Sequence, residues 1–417
     1  MTAQATREEA FLADFASMST FGATAGGGID RQAATLPDAQ VRTWLRGILE
    51  SRGFRVYFDK IGNQFALYEL VPGAPYILAG SHMDSQPFGG RFDGSYGVLA
   101  AAHAAMRWVE NLRESGETAK YNIGVVNWFN EEGSRFKPSM MGSSVLTGKL
   151  TIEDALASQD HDGVTVGEAL EALEMIGTEE APKIAGYAEI HVEQGHTLED
   201  RGLTIGLVES TWGAVKYDIT VKGDQAHSAT RMQDRHDALV GASKLVIAAR
   251  EIADEFLARG VDIVTSCGEF TVFPNSPVVV PSEVRMLMDI RCIDADELTK
   301  ADEALRARWA GIEEYASVTI EQQESHSWGA NPYDDAGIEL ARACAADLGL
   351  SHDRAFTVAG HDSTNMKDHV PTVMLFVPSV DGISHNEKEY TKDEDLLDGV
   401  TLLTEVVTRM TRGALDA

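Results

Sequence analysis

Residues 76–97 read YILAGSHMDSQPFGGRFDGSYG. The stretch opens with a short run of apolar, β-forming residues at 76–79 and halts at Gly80-Ser81-His82. An apolar run of that length without polar alternation is the pattern of a strand buried on both faces. A glycine-dense loop carrying His82, Asp84 and Asp93 comes next, followed by a helical pattern over 96–112. Glycine lets a backbone turn sharply and come close to a bound ion. Strand, polar loop and helix together are the repeating unit of α/β sheets, which collect their ligands where strands end.

The same order recurs along the chain. NIGVVNWF at 122–129 runs straight into Asn130-Glu131-Glu132, a run at 187–192 ends around His191, and TVMLFV at 372–377 precedes His385. A helix over 394–410 closes the sequence. These runs predict an α/β fold, a central mixed sheet flanked by helices. The middle of the chain differs: an alternating strand at 216–221, a long helix at 237–257, strands at 269–272 and 283–290, and a helix at 296–310. That β-α-β-β-α order predicts a small α+β domain at 213–328, inserted into a catalytic domain made of 1–212 and 329–417.

At 417 residues the chain exceeds one ordinary core. No apolar run approaches the roughly 20 residues that cross a bilayer, and MTAQATREEAFLADF mixes acids into its only apolar stretch, unlike a signal peptide. Cys267, Cys292 and Cys344 are isolated, as expected of reduced thiols in a cytoplasmic protein. The net charge of −30 disfavours nucleic acid and anionic membranes as partners, and leaves a small molecule as the expected one.

Taken singly, the chemical signals are ordinary. His82-x-Asp84 fits a loop residue with its cap, Glu131-Glu132 fits a solvated helix start, and a lone histidine at a strand end is usually a hydrogen-bonded structural residue. Together they supply, at four strand ends, the imidazole and carboxylate donors that bind zinc, manganese, cobalt or nickel. Two adjacent carboxylates at a sheet edge repel unless a cation binds one and leaves the other as a base. Asp84, two residues after His82, is placed to orient that ring.

Seven motifs then point one way: GSHMDSQPFGGRFDG, NEEGSRF, HVEQGHTLE, AHSATRMQDRHDA, MDIR, AGHDS and GISHNEKE. With them the chain resembles, over nearly its whole length, the hydantoinase/carbamoylase group of amidases within the M20 metallopeptidase superfamily. The resemblance implies two divalent metal ions, with His82 and His385 on different ions, Asp93 bridging, and Glu132 and His191 completing one site each. It implies Glu131 as the catalytic base, Gln194, His361 and Ser384 as substrate contacts, and 213–328 as a lid that also forms a homodimer. His227 then matches a residue that polarises the substrate carbonyl, and Arg291 one that binds a carboxylate. On residues alone, a strand-surface arginine paired with Asp289 or Glu283 is the reading Arg291 fits better.

In one place the chain departs from the pattern. Relatives carry an asparagine in an NVIP stretch, where this chain has PNSPVVVP with Val278 in its place. Asn275 lies three residues earlier and, on a strand, would face the opposite side. A pocket built around that amide would lose discrimination without it. The expected activity is hydrolysis of a linear amide or ureido C–N bond in a small carboxylate-bearing substrate. An N-acyl amino acid deacylase or dipeptidase is the alternative, and a non-catalytic binding protein on the same scaffold is a third reading, disfavoured by the filled ligand and base positions.

Overall fold

The computed structural model describes residues 3–416. The chain divides into two compact units, Met1–Glu209 with Tyr333–Ala417, and Ser210–Pro332. The stretch 213–328 expected as an insertion begins and ends inside the second unit. Before that unit come β1 (Arg55–Phe58), β2 (Gln64–Tyr68), β3 (Tyr76–His82), β4 (Asn122–Trp128) and β5 (Ile184–Val192), and β6 (Ile205–Thr211) runs across its start. Within it lie β7 (Gly213–Lys222), β8 (Ile263–Phe273), β9 (Glu283–Cys292) and β10 (Thr319–Trp328), and after it β11 (His352–Thr357) and β12 (Thr372–Val377).

The sheet of the first unit runs β1-β2-β4-β3-β5-β12-β6, with β11 beside β6. Its centre is parallel: β3 pairs β4 and β5, and β5 pairs β12. Its flanks are antiparallel, through β1 with β2, β2 with β4, and β12 with β6. This is the mixed α/β sheet expected. All seven residues of β4 and all six of β12 are buried, as in strands covered on both faces. The helix Ser95–Ser115 lies against β3, β4 and β5, and the closing helix Asp393–Thr411 packs beside it. Glycine permits this approach at two points. A Cβ on Gly97 would lie 2.3 Å from Ile190 O, and one on Gly94, at φ +58°, would lie 2.3 Å from the His82 ring. The helix therefore starts directly over the carboxyl ends of β3 and β5.

The second unit is an antiparallel sheet, β10-β7-β9-β8, with the helices Ala238–Leu257 and Ala295–Ala316 on one face. Val215, Tyr217, Ile219 and Val221 of β7 alternate into its core with Val284, Met286, Met288 and Ile290 of β9. The final strand, β10, is missing from the β-α-β-β-α reading. In TIEQQESHSW polar residues dominate, so an edge strand carries almost no apolar signal.

Candidate metal centre

The donors stand where central strands end. At the end of β3, the His82 ring is 1% exposed and donates Nδ1–H to Asp84 O at 2.9 Å. Near the end of β5, His191 is also 1% exposed and donates Nδ1–H to Val192 O at 2.8 Å. The N–H of Gly94 points at His191 Nε2 from 2.9 Å, which requires a lone pair there. Both rings are thus fixed with Nε2 turned inward, the orientation a metal ligand needs.

Asp93 lies between the strand-end segments. Its Oδ1 is 3.0 Å from His191 Nε2 and its Oδ2 3.1 Å from His385 Nε2. His82 Nε2 is 3.7 Å from Asp93 Oδ1, and His385 Nε2 is 3.4 Å from Glu132 Oε2. Two donor groups result, His82 with Asp93 and His191, and Asp93 with Glu132 and His385, and in each the donor atoms lie within 4.8 Å of one another. Asp93 belongs to both. Glu131 belongs to neither, but its Oε2 is 3.4 Å from His82 Nε2.

Electrostatics favour a cation here. Burial, and then the charges of Asp362, Glu132 and Asp84, push the Glu131 carboxyl well above its usual range against the pull of His82. Burial and then Asp93 raise Glu132 to about 7. Burial opposes charge on His82, yet Glu131, Asp84 and Asp93 outweigh it and hold the imidazolium. The carboxylates therefore draw protons onto one another and onto neighbouring rings. A divalent ion would supply the same positive charge, and the imidazole–carboxylate set suits zinc, manganese, cobalt or nickel.

Asp84 acts differently from the sequence expectation. Its backbone oxygen, rather than its carboxylate, takes the His82 proton, because Oδ1 stands 3.6 Å from Nδ1. The carboxylate instead accepts the backbone N–H groups of Glu131 and Glu132, each at 3.2 Å. It therefore fixes the Glu-Glu turn, which Asn130 enters at φ +52°.

Of the expected substrate contacts, Gln194 donates through Nε2 to Asp93 Oδ2 and Ser384 Oγ, both at 3.0 Å, and leaves Oε1 buried without a partner. His361 is buried, with its ring centroid 4.5 Å from that of His191. The Thr357 hydroxyl donates to Ala359 O, so it accepts from His361 Nε2–H at 3.1 Å. Burial, then the nearby His191, keeps that ring neutral. Sequence reasoning missed Gln86, which donates N–H and Nε2–H to Glu132 at 3.2 and 2.9 Å, and Glu389, whose carboxyl is raised to about 7 by burial and then by Asp93. The one sequence signal for Glu389 is Gly90, which makes room for it.

The second unit carries His227 and Arg291. His227 is exposed, and its Nδ1 accepts Ala229 N–H at 3.0 Å, which leaves the ring proton on Nε2. Arg291 donates Nε–H and Nη2–H to Asp289 Oδ2 at 2.9 and 2.6 Å, the strand-surface pairing open to it from the sequence. Val278 is 57% exposed. The strand argument against Asn275 does not hold. Residues 274–278 form a turn between β8 and the short strand Val279–Val280, broken by Pro274 and Pro277, and Asn275 sits at φ +53°.

Residues 78–409 match the family model for peptidase family M20/M25/M40, and the chain belongs to that family. Within it, the likeness is to amidases. The chain is 33% identical to an N-carbamoyl-L-amino-acid amidohydrolase of Rhizobium meliloti, covering 94% of this chain and 93% of that one. It superposes with a TM-score of 0.90 and 34% identity on the crystal structure of a hydantoinase/carbamoylase family amidase from Burkholderia vietnamiensis, covering 98% of each chain. A Mycolicibacterium smegmatis protein named only as a hydrolase, with no substrate in its name, is 56% identical over 99% of this chain and 95% of its own. Family membership makes this chain a hydrolase.

Proposed function

We propose that the chain hydrolyses a linear amide or ureido C–N bond in a small carboxylate-bearing molecule, such as an N-carbamoyl-L-amino acid, with two divalent ions held around Asp93. The observation that carries this reading is the pair of donor groups sharing Asp93, with the Glu131 carboxyl beside them and outside both. His82 and His191 would hold one ion, Glu132 and His385 the other, and Asp93 both. Such a pair supplies positive charge that acidifies water and polarises a carbonyl.

Glu131, whose carboxyl burial pushes above its usual range, accepts the proton of the attacking water and returns it to the leaving nitrogen. Asp84 holds the Glu131 backbone in register for that transfer. The buried Oε1 of Gln194 accepts no hydrogen bond from the described residues, and a carbamoyl NH2 would satisfy it where an acetyl methyl would not. Cleavage of a carbamoyl substrate gives the amino acid, ammonia and carbon dioxide. The resemblance supports His227 as carbonyl polariser, Arg291 as carboxylate anchor, and a homodimer formed through the second unit. Three free cysteines support a cytoplasmic setting.

Val278 in place of the relatives' asparagine supports a second reading, an N-acyl amino acid deacylase or dipeptidase. Metal-stripped protein, reconstituted separately with zinc, manganese, cobalt and nickel, decides between the two. The panel holds N-carbamoyl, N-formyl and N-acetyl amino acids, allantoate and dipeptides, with ammonia and free amine followed. Metal-dependent ammonia release from carbamoyl compounds supports the first reading. Turnover confined to acyl compounds or dipeptides replaces it with the second.

A further inference from the structure

Besides Glu131 and Asp84, a further carboxylate buried in the centre has no place in either donor group. Glu389 is 4% exposed. Its Oε1 accepts the backbone N–H of Phe92 at 3.1 Å and of Asp93 at 2.9 Å, and its Oε2 accepts the Ser384 hydroxyl at 2.8 Å. Ser384 Oγ accepts an N–H of Gln194, whose amide nitrogen also donates to Asp93 Oδ2. These bonds close a ring through Glu389, Ser384, Gln194 and Asp93. Asp93 is held by its backbone on one side and its carboxylate on the other. His385 follows Ser384 directly, at φ +52°, so the ring also tethers the segment that presents the half-exposed imidazole.

The chain is shaped around this side chain. A Cβ on Gly90 would lie 2.1 Å from Glu389 Oε1, so the loop can wrap the carboxylate only with glycine there. Across the centre, Asp84 does the same for the Glu131-Glu132 turn, accepting two consecutive amides. Consecutive N–H groups gathered on one carboxylate are charge-assisted bonds, short and directional, that fix the loop which supplies them. The outer partners of metal ligands set affinity in this way, and their loss weakens binding by roughly 10–100-fold.

We infer that Glu389 is a positioning residue: it fixes Asp93 and, through Ser384, His385, and so sets the affinity of the Asp93, Glu132, His385 group for its cation. The inference rests on the metal-dependent reading above. Glu389→Asp keeps the charge but withdraws the carboxylate by one methylene. Glu389→Gln keeps an oxygen that can accept both amides. The full chain is stripped and loaded with cobalt at graded free concentrations, and bound cobalt and its visible absorption are measured, with kcat and KM alongside.

The wild type is expected to bind two cobalt ions per chain. Glu389→Asp is expected to weaken one of them by roughly 10–100-fold and shift the absorption, with kcat falling as cobalt is lost and KM nearly constant. Glu389→Gln is expected to stay within a few-fold of wild type. A metal-free melting curve is taken first. Should Glu389→Asp melt early, Ser384→Ala cuts the ring at its next link and carries the same expectation for cobalt binding and absorption. Both ions bound at wild-type affinity in the withdrawn variant overturns the inference alone, as does a Glu389→Gln as weak as Glu389→Asp. A wild-type chain that takes up no cobalt overturns the metal-dependent reading instead.

Discussion

The two donor groups share Asp93 and contrast in how their other members are held. His82 and His191 are 1% exposed, and each has its Nδ1 tied to a backbone carbonyl at the end of a buried parallel strand. His385 stands on a left-handed residue after a short turn, with 49% of its side chain exposed. Its carboxylate companion, Glu132, is anchored by Gln86. The first group is preorganised and closed, as in sites that retain an ion. The second is open on one side, as in sites that exchange ligands and admit water or substrate. Glu131 leans toward the closed group, its Oε2 3.4 Å from His82 Nε2.

The strongest challenge to this contrast is the base itself. Glu131→Gln should leave both groups intact and still lower kcat by roughly 10²–10⁴-fold, the usual contribution of a positioned proton acceptor. Metal analysis of the purified variant checks that the ions remain. A variant turning over near the normal rate would remove Glu131 from the chemistry.

Truncating one histidine at a time tests the inequality of the groups. His191→Ala should abolish the retained ion, weakening its binding by at least roughly 100-fold and lowering the melting temperature, because a buried donor set is left uncompensated. His385→Ala should lose only the ion that dialysis against chelator removes first from the wild type. Equal losses in the two variants would show that burial does not rank the groups.

Acidity gives a finer test. Burial opposes charge on His385, but the Asp93 hydrogen bond and the charge of Glu132 outweigh it and raise its pKa to about 9. A cation must displace that proton, so the open group should bind more tightly as pH rises, by up to about tenfold per unit, and level off above about 9. Cobalt titrations at pH 7, 8 and 9 read this directly. A flat profile would take His385 out of the donor set.

The same contrast governs what the sequence disclosed. β3, β4, β5 and β12 were legible because strands buried on both faces are unbroken apolar runs. β1, β2, β6 and β10 were not: β1 and β10 lie at sheet edges and mix polar residues, and β2 and β6, though largely buried, carry polar residues into short runs. Donor residues were legible because imidazole and carboxylate side chains recur at four strand ends and lie in the motifs that carry the resemblance. The groups that hold them were less so: Asp84 and Glu389 accept backbone amides, which leave no residue pattern in the partner, and Gln86 donates its own amide and its side chain to Glu132 from a loop position that nothing else marks. Even the ring orientation of His82 and His191 comes from main-chain carbonyls, which every sequence has.

The smallest expected effect separates the groups most cleanly. Gln86 touches only Glu132 within the donor set, through N–H to Oε1 and Nε2–H to Oε2. Gln86→Ala keeps the backbone bond and removes the side-chain bond, so Glu132 gains freedom without losing its place. One hydrogen bond of this kind contributes about 0.5–1 kcal/mol net, so the open group should weaken by roughly two- to fivefold. The closed group, which shares no partner with Gln86, should not change. Competition with a chelator of matched affinity resolves a change of that size. Weakening of both ions together would mean that Asp93 couples the groups tightly enough for them to act as one site, and the ranking by burial would give way to a single cooperative centre.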